Sequence, residues 1–142
     1  MQEERKVYWN GRIIPESQAR VSIYDSALMF GDMVFEMTRS FNKVQFRLRD
    51  HLERLYASMR YVRIDPGMTM DEMEEHVHEV IALNDPLFEK DDEHRVMINV
   101  SRGLLSLYQD VVGAEKGPNV IIADFPLRWT VASMGPLYDT GI

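Results

Sequence analysis

The chain contains no cysteine, which excludes disulfides and cysteine-ligated metal centres. No apolar run approaches the length needed to cross a bilayer, and the charged opening Met1-Gln2-Glu3-Glu4-Arg5-Lys6 is unlike a secretory signal. A soluble, cytoplasmic protein is therefore expected. There is no glycine-rich phosphate loop, no Gly-x-Ser-x-Gly elbow, no internal repeat and no low-complexity tract. Positive charge is the minority sign: 16 Lys and Arg against 23 Asp and Glu give a net charge of −7 over 142 residues. That balance argues against sequence-independent nucleic-acid binding, which depends on neutralising phosphates. His76 and His78 are the one histidine pair close in sequence, but two residues apart on a helix they point to different faces, so no metal site is expected.

What is present suits one ordinary domain, because 45% of the residues are hydrophobic. Asn10-Gly11 between Lys6–Trp9 and Arg12–Ile14 is a strong two-residue hairpin signal. Met33–Phe41, turned by Asn42-Lys43 into Val44–Arg47, predicts a second hairpin. Leu52, Leu55, Tyr56, Met59 and Val62 then recur at helical spacing, with Asp50 and Glu53 resembling a capping box. Thr69 and Glu72 open a second helical stripe, which Asn84-Asp85-Pro86 stops. Arg95–Ser101 and Asn119–Phe125 read as strands, separated by a long segment, Arg102–Pro118, of the kind that often carries function. The order predicts an α+β fold of two layers, a mainly antiparallel sheet with helices 50–63 and 69–84 on one face. Residues 1–130 form the expected domain, and 131–142 read as a linker with no element of its own, leading toward a further domain.

Two segments suggest chemistry. His51 and Arg54 fall in the expected first turn of helix 50–63, where free N–H groups and the helix dipole favour anions, and an arginine can clamp a phosphate with paired donors. A solvated arginine paired with nearby acids explains the same residue without function. Gly31-Asp32 interrupts the apolar residues of Tyr24–Glu36 just before a strand, which suits a loop at a site or a plain strand entry.

Together these segments resemble the class IV (fold-type IV) aminotransferases, which include branched-chain and D-amino-acid aminotransferases, R-selective amine transaminases and aminodeoxychorismate lyase. The marks are Asn10-Gly11, Pro15, Ala19, Val21, Asp25, Gly31-Asp32 and Phe35-Glu36, then Phe46, His51, Arg54-Leu55 and Ser58, followed in order by Ile98–Gly103 and Asn119–Pro126. The resemblance implies pyridoxal 5'-phosphate (PLP) as cofactor, with Arg54 on its phosphate. It implies a substrate pocket touched by Phe35, by Arg39 on the same strand face, and by Tyr108 in the loop Leu105–Val112, and it implies a homodimer. Surface pairing of Arg39 and an exposed loop position for Tyr108 are the plainer readings. Leu107-Tyr108-Gln109 lacks the arginine and histidine that D-amino-acid enzymes carry in that loop, and Phe35 replaces a tyrosine. Both lean toward a branched-chain or amine transaminase-like site.

The family's Schiff-base lysine is expected beyond Ile142, so no catalytic residue is assigned among Lys6, Lys43, Lys90 and Lys116. The expectation is a truncated branched-chain-type aminotransferase, inactive alone. A lyase on the same fold and a non-catalytic binding or assembly paralogue are the alternatives.

Overall fold

The computed structural model describes residues 3–110 and 115–142. Six strands form one sheet in the order β2-β1-β6-β5-β3-β4, every pairing antiparallel. They are β1 (Lys6–Trp9), β2 (Arg12–Pro15), β3 (Met33–Phe41), β4 (Val44–Gln45), β5 (His94–Ser101) and β6 (Asn119–Pro126). The helices are α1 (Ser26–Phe30), α2 (Leu48–Val62), α3 (Met70–Asn84) and α4 (Leu127–Thr140).

Both expected hairpins form. Trp9 pairs with Arg12 around Asn10 and Gly11, which both hold positive φ (47° and 86°), as a two-residue turn matching the strand twist requires. Phe41 pairs with Val44 around Asn42 and Lys43, also at positive φ.

Alternation along the strands separates two faces. Glu36, Thr38 and Ser40 of β3, Val96, Ile98 and Val100 of β5, and Val120 and Ile122 of β6 turn inward and are buried. Leu52, Leu55 and Met59 of α2 and Met73, Val77 and Val80 of α3 pack with the apolar members of this set into one core. α2 and α3 therefore lie on one face, as the pattern requires. The opposite face carries Phe35, Met37 and Arg39 beside Arg95, Met97 and Asn99, and Phe35 is 61% exposed there.

The boundaries of α2 differ from expectation. The helix starts at Leu48, whose side chain is buried, after Arg47 turns the chain in a left-handed conformation (φ 51°). Asp50 therefore lies in the first turn and is not the cap, and Arg54 lies in the second turn. The helix ends at left-handed Arg63, with the Ile64 N–H bonded to the Met59 carbonyl at 2.9 Å. The expected start of α3 holds: Thr69 and Glu72 form a reciprocal capping box.

The tail expected to lack structure is helical as far as Thr140, with Pro136 inside it and no buried residue. Its first N–H groups are satisfied from far upstream. Leu127 N–H donates to the Glu93 carbonyl (2.9 Å) and Arg128 N–H to Asp92 Oδ1 (3.2 Å), while the Arg128 guanidinium pairs with Glu89, Asp91 and Asp92. No local residue signals such a cap.

Candidate functional site

The inward face of β3 delivers Glu36 to the second turn of α2. Arg54 Nε and Nη2 donate to the two Glu36 oxygens, Nη2 at 2.8 Å, and His51 Nδ1 lies 2.8 Å from Oε2. The Arg54 hydrogen bond, more than that of His51, holds the Glu36 carboxyl below its ordinary value against the opposing effect of burial. The carboxylate is almost fully covered, yet the Arg54 side chain is 69% exposed. Among the described residues, its Nη1 has no protein partner. Glu36 thus fixes the guanidinium plane and leaves one edge free to meet an anion.

Arg54 lines a cavity of about 390 Å³ together with Phe46, Arg47, Asp50 and His51. The one acid in its wall, Asp50, is paired with Arg47. A phosphate group fits this donor set. The pairing of Arg54 with a neighbouring acid, the plainer expectation, is present as well; it positions the arginine without consuming it.

A second cavity, of about 310 Å³, shares Phe46 and His51 with the first and adds Met37, Thr38, Arg39, Arg95 and Leu127. Arg39 and Arg95 are direct cross-strand partners in the β3–β5 register. Like charges so placed repel, and neither has a carboxylate partner among the described residues. Arg39 Nε donates to the Ser40 carbonyl and its guanidinium lies 3.9 Å from the Phe41 ring centre, while Arg95 Nε contacts Met37 Sδ. Two uncompensated guanidiniums on one wall suit a carboxylate.

The expected pocket residues are not all brought together. Arg39 and His51 line one cavity; Phe35 shares Arg39's sheet face but does not line it. Tyr108 ends a short 3-10 turn, Ser106–Tyr108, and stacks on Tyr24 with ring centres 5.4 Å apart. Val111 and Val112 of its loop lie outside the described residues. Arg95 was not singled out in the sequence, and Glu36 only as a mark of the resemblance with no role at the site. For Glu36 a signal existed, since an acid on the buried phase of a strand requires a cation; the register that sets Arg95 against Arg39 had none. Among the described residues, no three His, Asp or Glu side chains are placed to hold a metal ion, and no helix is long and apolar enough to cross a membrane.

A family model described as amino-transferase class IV matches residues 33–140, a span holding all of these site residues. The chain belongs to the class IV aminotransferases. A protein of Methanocaldococcus jannaschii provisionally named branched-chain-amino-acid aminotransferase is 40% identical over 79 residues, 56% of this chain and 27% of that protein. The D-alanine aminotransferase of Bacillus licheniformis is 30% identical over 123 residues, 87% of this chain and 41% of that enzyme. Among solved structures, the branched-chain aminotransferase of Thermoproteus uzoniensis with norvaline superposes with a TM-score of 0.71 at 29% identity, covering 87% of this chain and 41% of that one. The chain thus spans less than half the length of these class IV aminotransferases.

Proposed function

We propose that this chain supplies the cofactor-phosphate anchor and one substrate wall of a PLP-dependent aminotransferase of branched-chain type, which moves an amino group from an amino acid to a 2-oxo acid. The observation that carries the reading is Arg54, held by Glu36, which His51 also contacts, in the wall of the cavity at the start of α2. Arg54 and His51 would hold the phosphate of PLP, and the cofactor when bound acts as an electron sink for the amino-group carbon. Arg39 and Arg95, one cavity further along, would orient a substrate carboxylate, with Phe35 and Tyr108 as apolar neighbours on the approach.

The test is a titration of the chain with inorganic phosphate and with PLP, followed by the amide and ring signals of His51. Weak saturable binding is expected, with Arg54→Ala losing it. A carboxylate probe such as a 2-oxo acid is expected to shift signals around Arg95 and to lose affinity in Arg95→Met, with phosphate binding retained. Equal phosphate binding by Arg54→Ala would sink the assignment.

The same reading includes a homodimer. Ile23, Leu28, Phe30, Phe35 and Leu107 are each more than 60% exposed, more large apolar surface than scattered single residues leave. Sedimentation is expected to show self-association that rises with concentration; a clean monomer at high concentration would contradict it.

A further inference from the structure

We propose that Asp85, His94 and Asp124 form a pH-released clamp, closed while the His94 ring is charged, that locks the turn after α3 and the β3–β4 turn to the end of the sheet. None of the three belongs to the site described above, and the proposal does not depend on the function assigned to it. His94 opens β5 and is completely buried. Its Nδ1 lies 2.8 Å from Asp124 Oδ2 on β6, and its Nε2 lies 2.8 Å from Asp85 Oδ1, the first residue of the 3-10 turn Asp85–Leu87. The Phe88 ring stacks on the imidazole with centres 4.4 Å apart.

Further groups reach this ring and its two partners from four other segments. Lys43 of the β3–β4 turn places Nζ 3.1 Å from the same Asp85 oxygen. Arg5, before β1, and Asn84, at the end of α3, lie on the Asp124 side, where Asp124 Oδ1 has no hydrogen-bond partner among the described residues and the Asn84 amide is bonded to the Lys6 backbone. Glu93, which precedes the ring, points away from it: its carboxylate accepts the Asn42 and Lys43 N–H groups at 2.6 and 3.1 Å and the Ser40 hydroxyl. Ser40 Oγ in turn accepts the His94 N–H at 2.8 Å. The β3–β4 turn is therefore tied to the head of β5 twice, through Glu93 and through Lys43–Asp85–His94.

A carboxylate can only accept hydrogen bonds, and a neutral imidazole has one N–H to give. Two carboxylate contacts on one ring are satisfied together only by the imidazolium. On losing a proton, the ring would turn a lone pair toward one of its partners inside a buried pocket, and that contact would open. Asp124 is 1% exposed, so it has no alternative partner in solvent. The Asp85 side chain is 51% exposed and keeps Lys43 and water. Asp85 is the partner that leaves, and the 85–88 segment goes with it.

The sign follows from each group. Burial disfavours the charged ring, but the Asp124 hydrogen bond and charge, with Asp85, outweigh it and raise the His94 pKa. The stability this contributes is fully present below the ordinary histidine value and is lost as pH rises through the raised one. The Asp85 carboxyl is lowered, by His94 first and Lys43 second, so its share is present above the ordinary carboxylate value and fades only in stronger acid. Burial pushes the Asp124 carboxyl up against the pull of His94, Asn84 and Arg5, so Asp124 is the first of the two acids to take a proton and sets the acid limit.

The test uses the 142-residue chain, with ring-nitrogen NMR of His94 and amide signals of Lys43, Asp85 and Phe88 followed from about pH 5 to pH 10. Both ring nitrogens are expected to carry protons at neutral pH, and the three amide signals to move with the midpoint of His94, above the ordinary histidine value. Asp85→Asn is expected to bring that midpoint down by roughly one pH unit and to abolish the coupled movement at Phe88. A ring that stays neutral across the range, or one that titrates while residues 85–88 and 43 stay still, overturns the clamp. Should the variant fail to fold, the wild-type titration alone decides between these outcomes.

Discussion

Amino transfer from a branched-chain amino acid to 2-oxoglutarate is expected to run no faster with this 142-residue chain than with free PLP. The covalent step of such a reaction needs a lysine amine at the cofactor, able to lose its proton. Lys6 lies in β1, bound through its backbone to Asn84. Lys43 sits on the Asp85 carboxylate, Lys90 is exposed in an acidic turn, and Lys116 is exposed near Asp110. None of the four lines the cavities beside Arg54 and Arg39. Enzymatic acceleration is typically about a millionfold or more, so the difference should be nearly all or none. A longer protein carrying the rest of the length its relatives have is expected to turn over. Rates above the free-cofactor background from the short chain, lost on changing one of its four lysines, would place the active site elsewhere.

Replacing Gly103 by alanine is expected to cost roughly 2–4 kcal/mol, read by urea or thermal unfolding. Gly103 (φ +81°) sits where the segment after β5 meets its own return, and a Cβ there would lie 1.8 Å from the Gly117 carbonyl oxygen and 2.7 Å from its carbon. Backbone cannot swing aside as a side chain can. The Gly103 carbonyl also accepts the Ser26 N–H (2.9 Å), and its own N–H donates to Ser101 Oγ (3.1 Å). Ser101 and Asn119 in turn satisfy one oxygen of the fully buried Asp25. Opening the neck therefore strains a buried polar cluster as well as the chain. Gly117→Ala is the control. It shares a positive φ of 88° but a Cβ there meets nothing within 4 Å, so about 1–2 kcal/mol of backbone strain is all that is expected. Equal losses for the two variants would show that the close approach plays no part.

The difference between what could and could not be read in the sequence is one of distance along the chain. Asn10-Gly11, Asn42-Lys43 and the Thr69–Glu72 box are signals between neighbours, and each formed. The apolar stripes of α2 and α3 and the alternation of β5 follow from period alone and gave the two layers correctly. The start of α2 was misplaced because Asp50 looks like a cap, whereas a left-handed Arg47 and the need to bury Leu48 set the boundary. α1 and α4 went unread. The first is held by the Asp25 side chain on the Ala27 N–H, and the second by Asp92 and Glu93. At the site, Arg54 and Arg39 were legible as cations in suggestive places. Glu36 and Arg95, which give them a geometry, became visible only through tertiary packing and strand register.

The placement of the first hairpin has a kinetic consequence. β1 joins the sheet through β6, with Tyr8 opposite Ile122, and Asn10 Oδ1 accepts the Val120 N–H across 110 residues of sequence. On the ribosome, β1 and β2 must wait, unpaired on one edge, until β6 has been made more than a hundred residues later. Closing so long a loop pays its entropy before any contact rewards it, which slows folding. In the interval the core side of α3 is open where Tyr8 will cover it. A chain released before residue 119 would keep β3, β4 and β5 with α2, yet carry an orphan hairpin, an uncapped sheet edge and an α3 without the β6 strand it packs on, the kind of intermediate that associates with its own copies or engages chaperones.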